Sequence, residues 1–185
     1  SDLENMVNTF VEDVLDEVYA PLESKEKDDS QDEIKDMVRA RLEEVFDLQR
    51  VMDIKGELPS KEKAVQGVYQ ILEQLKSTAE DHFEEILRYF LLESLDRNWK
   101  EHLLNMDHLK EGIGLRGYGQ KDPKQEYKRE GFELFQDLLY LIKESALKAL
   151  CHLRLKVVSE EQFQHREQEA DLQYSSSEAE QEAAQ

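Results

Sequence analysis

Residues 111–123 read EGIGLRGYGQKDP, and the fold turns on how this stretch is read. Gly112, Gly114 and Gly117 spell G-x-G-x-x-G, with Gly119 close behind. That spacing cradles a pyrophosphate when a strand precedes it, a helix follows directly, and an acidic residue lies about 20 positions on. None of that context is present. Upstream, Leu87, Leu91, Leu95, Trp99, His102, Leu103, Met106 and Leu109 recur at helical spacing up to Gly112. Downstream, Asp122 is a good N-cap, Pro123 fits the first helical turn, and Gln125 completes a capping box. A short loop between two long helices makes an antiparallel hairpin. Gly112 or Gly114 is expected to end the first helix in the left-handed region, while Gly117 and Gly119 let the loop fold tightly. Tyr118, with Arg116 and Lys121 nearby, then lies at the tip as an exposed contact residue, or folds back onto the hairpin's own shoulder.

Working outward, residues 2–20 carry one apolar stripe through Val7, Val11, Val14 and Val18, and Pro21 is expected to stop that helix. Residues 23–32 form a polar loop, and Ser30 with Glu33 makes a capping box for a second helix running from Ile34 to Val51. Gly56 and Pro59 break the chain, and Ser60 caps a third helix carrying Val68, Leu72 and Leu75. No Pro or Gly interrupts residues 68–111, so one very long helix or two helices with a kink near 76–81 both fit. The last helix, from Asp122 to Val157, would reach ~50 Å. Residues 159–185 are rich in Glu, Gln, Ser and Ala and read as a disordered acidic tail. No strand candidate and no internal repeat is found, so the expected fold class is all-α.

Composition agrees. The chain has 185 residues, 36% charged and 39% hydrophobic, with three prolines and seven glycines, a balance that favours long solvated helices. A single cysteine, Cys151, excludes an internal disulfide, and a reducing, intracellular home is expected. No apolar run approaches ~18 residues, and the N-terminus does not read as a signal peptide. The net charge of −19 argues against nucleic acid as a partner. It is uneven. Residues 1–96 carry 11 basic and 26 acidic side chains, net −15; residues 97–158 carry 12 and 9, net +3. The glycine stretch sits in the only basic island, which would be attracted to a negative surface such as anionic lipid. His102 and Met106 share a helix face, but no second His or carboxylate joins them at i, i+4 spacing, and each of the five histidines reads as a helix-surface or satisfied core residue, so no metal site is proposed. No carboxylate pair stands in an apolar setting, so no catalytic acid or base is proposed.

Residues 95–135, LDRNWKEHLLNMDHLKEGIGLRGYGQKDPKQEYKREGFELF, resemble without a gap the C-terminal half of SecA, the ATP-driven motor family of bacterial preprotein translocation. The register holds through Trp99-Lys100-Glu101-His102-Leu103, Met106-Asp107, Leu115-Arg116-Gly117-Tyr118, Asp122-Pro123 and Glu126-Tyr127-Lys128-Arg129-Glu130. More weakly, residues 1–20 resemble the end of the scaffold helix, 21–80 the helical wing, 81–158 the two-helix finger with the returning scaffold helix, and 159–185 the C-terminal linker. The resemblance implies a finger tip of Tyr118, Arg116 and Lys121 that touches an unfolded preprotein at a SecY-type channel. It implies that Trp99 contacts the motor lobes. It also implies a cytoplasmic protein associated peripherally with the bacterial inner membrane. ATP and magnesium are implied for the whole motor. The phosphate-loop and DEAD-type motifs are missing here, as are the preprotein-binding insertion and the zinc-binding cluster of many members. The chain is therefore expected to be a C-terminal fragment, without cofactor and inactive as an enzyme alone. The alternative is a helical coiled-coil scaffold that only dimerises, against which no strict heptad holds over four repeats.

Overall fold

The computed structural model describes residues 1–23, 31–116 and 122–155. The chain divides into two units, residues 1–153 and 154–185. The second unit, with its expected tail, lies outside the described residues apart from its first two positions. Among the described residues there is no strand. Five helices, α1 (Asp2–Glu23), α2 (Gln31–Phe46), α3 (Lys61–Ala79), α4 (Phe83–Arg116) and α5 (Pro123–His152), are joined in part by short 3-10 turns at Leu48–Arg50 and Glu80–His82. The all-α expectation holds.

Local chemistry sets most boundaries. The Ser1 hydroxyl accepts from Glu4 N–H at 3.4 Å and opens α1. Pro21 does not stop α1, which continues to Glu23. A proline two residues from a helix end removes only one late hydrogen bond, and little helix remains beyond it to kink. The Ser30–Glu33 box lies outside the described residues at its serine. Helix α2 ends at Phe46, short of the expected Val51, because Asp47 takes the left-handed conformation (φ 54°) and turns the chain into the 3-10 segment. Ser60 caps α3 as expected, its Oγ accepting from Lys63 N–H at 3.4 Å. The long apolar run from residue 68 is two helices. Glu80, at φ 48°, breaks it within the stretch where apolar residues thin out.

The core gathers one stripe from each helix. Val11, Val14 and Leu15 of α1 meet Val38, Leu42 and Phe46 of α2, Val68 and Ile71 of α3, Leu87 of α4, and Leu147 and Leu150 of α5. All these side chains are fully or almost fully withdrawn from water. Helices α4 and α5 lie against one another as an antiparallel pair, and the C-terminal half of α5 is also clasped by α1 and α2. Ion pairs at the rim tie these elements together: Lys143–Asp13 at 2.7 Å, Lys148–Glu44 at 2.9 Å and Arg41–Glu144 at 2.5 Å. Arg41 is the best held of these cations. Burial opposes its charge, but hydrogen bonding with Tyr140 and the Glu144 and Glu44 carboxylates outweigh it and raise its pKa.

Candidate functional site: the α4–α5 hairpin

Helix α4 has 34 residues, ~50 Å, and α5 has 30. Their roots are built into the core through Phe83, Leu87 and Leu91 on α4 and Ala146, Leu147, Leu150 and Cys151 on α5. Their far ends project as a finger. Asp122 and Pro123 open α5 as expected: Asp122 Oδ1 accepts from Lys124 N–H at 2.9 Å, and the proline occupies the first turn.

The glycines behave differently from expectation. Helix α4 runs through Gly112 and Gly114 to Arg116, and no glycine among the described residues has a positive φ. Neither ends the helix. A glycine inside a helix costs only about 1 kcal/mol, too little to terminate one that is otherwise favoured. Because their amides belong to the helix, Gly112 and Gly114 form no phosphate cradle, and these residues do not fit a nucleotide. Gly117, Tyr118, Gly119 and Lys121 lie outside the described residues, and of Arg116 only the helical backbone is described.

Trp99 is not the core anchor that its place on the stripe suggests. It is 44% exposed, and Leu92, Leu95 and Leu103 beside it are open to solvent as well. On α5, Phe132, Phe135 and Leu139 are also exposed. The rings of Trp99 and His102 lie 5.7 Å apart, and those of His102 and Phe135 6.3 Å. His102 thus links the two helices' aromatic groups across the hairpin. The inward face of outer α4 is instead polar, carrying Ser94, Asn98 and His102. The periodicity located a stripe correctly but assigned its apolar side to the inside.

Part of the basic island's positive charge is paired with nearby carboxylates. Arg97 pairs with Glu93 at 2.7 Å, Lys100 with Asp96 at 2.5 Å, and Arg129 with Glu126 at 2.8 Å and Glu133 at 3.4 Å. Arg129 is held charged first by its hydrogen bond to Glu126 and then by the charges of Glu126 and Glu133.

A family model described as SecA Wing and Scaffold domain matches residues 1–154. The chain belongs to this SecA family. Similar curated SecA proteins carry the name Protein translocase subunit SecA. That of Maridesulfovibrio salexigens is 55% identical over 96% of this chain and 21% of its own length. That of Oleidesulfovibrio alaskensis is 48% identical over 94% of this chain and 24% of its own length. A third, from Nitratidesulfovibrio vulgaris, is 49% identical over 97% of this chain and 21% of its own length. The chain thus spans about a fifth to a quarter of these SecA relatives. Among the described residues, no helix is long and apolar enough to cross a membrane.

Proposed function

We propose that this chain is the wing, scaffold and finger portion of a protein translocase subunit, with residues 21–80 as the wing and 81–158 as the finger and returning scaffold helix. The observation that carries this reading is the α4–α5 hairpin. Its root is locked into a core shared by all five helices, while a continuous apolar outer face around Trp99 is left open. A rigid root transmits force, and an open apolar face of this kind marks an interaction surface. Motor lobes of the longer protein cover the Trp99 face, and they hold the ATP and magnesium, which these residues do not. The lobes drive the scaffold, the scaffold moves the finger, and the tip residues Tyr118, Arg116 and Lys121 grip the unfolded polypeptide at a SecY-type channel. A tyrosine ring suits many passing sequences because it offers apolar area with a polar end. The protein works at the cytoplasmic face of the inner membrane. Attraction to anionic lipid rests on the net positive charge of residues 97–158.

The test is translocation by the full-length protein carrying Tyr118→Ala. Basal ATP turnover is expected to persist, because the nucleotide lobes lie elsewhere, and polypeptide transport to fall sharply. Transport at the unsubstituted rate would overturn the tip's role. The same apolar face also favours a second reading, a dimerisation module. A dimeric mass for the chain in solution, abolished by Trp99→Ala, would support that instead.

A further inference from the structure

The buried face of α4 changes character along its length. Positions 87, 91, 94, 98 and 102 follow one another at spacings of four and three and form one continuous stripe. Leu87 and Leu91 belong to the core, whereas Ser94, Asn98 and His102 are polar. The change is matched on α5. In residues 94–114 of α4 and 123–145 of α5, Leu138 is the one buried apolar side chain, and it stands apart from the core cluster. Asn98 Nδ2 donates to the Ser94 carbonyl of its own helix at 2.7 Å and to Ser145 Oγ across the seam at 3.2 Å. Farther out the helices approach closely at Gly131, where an added Cβ would lie 3.3 Å from Met106 Cε, but Met106 and Leu109 are only half-buried.

Burial of apolar surface is the main term that holds two helices together in water. The root has it in quantity and the outer hairpin has little. A hydrogen bond between side chains adds less, because separated helices recover those bonds from water. Regions with few buried apolar contacts open with lower free energy than the whole molecule.

We infer that the hairpin is built in two parts, and that residues 94–116 and 123–139 open as a cooperative unit of their own while the root stays folded, the polar Ser94–Asn98–His102 seam setting the boundary and Tyr140, Lys143 and Glu144 staying with the core. Such a finger bends or parts at its outer half without disturbing the five-helix core that carries it.

Amide hydrogen exchange on the 185-residue chain, followed with increasing urea below the unfolding transition, tests this. Amides at 99–112 and 126–138 are expected to exchange at least tenfold faster than those at 84–91 and 146–151, with a shallower urea dependence. Equal protection and equal urea dependence in both sets, the mark of one global opening, would overturn the inference. The variant Asn98→Leu with Ser145→Ala removes both polar partners across the seam. It should slow exchange of the outer set by about tenfold and leave the root unchanged. His102→Leu, which does not touch that bond, should act in the same direction. Unchanged or faster outer exchange in both variants would show that the polar seam does not set the boundary.

Discussion

The Arg41 guanidinium on α2 lies 2.5 Å from the Glu144 carboxylate on α5 and also reaches Glu44 on its own helix at 3.1 Å. Glu144 is 15% exposed, so removing Arg41 leaves a largely buried carboxylate without its cation, with Tyr140 still hydrogen-bonded to it. Arg41→Ala is expected to destabilise the chain by about 1–3 kcal/mol, the cost of leaving such a group without its partner. Arg41→Ala with Glu144→Ala should cost less than the sum of the two single changes. A double-mutant cycle by urea denaturation reads the difference directly, and strict additivity would show the pair to be inert.

Two glycine substitutions should move stability in opposite directions. A Cβ at Gly67 would clash with Met52 Cε and lie 2.7 Å from Leu48 Cδ2, and Leu48 is fully buried. Gly67→Ala is therefore expected to cost about 1–2 kcal/mol through overpacking, despite the gain in helix propensity. At Gly112 nothing lies within 4 Å of an added Cβ and the backbone is helical. Gly112→Ala should stabilise by about 0.5–1 kcal/mol. Thermal unfolding of both variants checks this. A loss of stability at Gly112 would restore the left-handed helix end that the sequence suggested.

Alkaline pH should weaken the fold through Tyr19. Its hydroxyl donates to the Pro59 carbonyl at 2.8 Å, joining α1 to the segment before α3. Burial, with a smaller contribution from the Glu62 charge, pushes its pKa up to about 12 from 10.0. The folded value lies above the unfolded one, so the protonated form favours folding. This stability is fully present below pH 10 and is lost as pH rises through 12, at most about 3 kcal/mol in all. Tyr19→Phe carries no such proton. The stability gap between the wild-type chain and this variant, measured by urea denaturation, should narrow between pH 10 and 12. A gap that stays constant across that range would remove Tyr19 as the cause.

Much of this architecture was legible in the sequence because local chemistry and the fold agree. Ser60 and Asp122 accept from nearby backbone amides wherever the chain goes next, so their helix starts follow from residue type alone. The break at Glu80 showed as a gap in apolar periodicity, although only the structure reveals the positive-φ backbone there. Where the reading failed, the deciding partner was remote. The stripe through Leu95, Trp99 and Leu103 has helical period, but period names a face and not what covers it. Those side chains look outward, while Ser94 and Asn98, which carried no signal in sequence, face α5. Gly112 and Gly114 misled because glycine permits a helix end without requiring one.

The central claim, that the finger tip touches the translocating polypeptide, is tested most directly by site-specific crosslinking in the full-length protein. The background is free of other cysteines, with Cys151→Ser included, and carries either Tyr118→Cys or Glu133→Cys. Glu133 is an exposed position on α5 about ten residues from its start, ~15 Å along the helix, and serves as the control. With a polypeptide arrested during transport, the thiol at position 118 is expected to crosslink to it and the thiol at 133 is not. Crosslinking from both positions alike, or from neither while transport proceeds, would contradict the account.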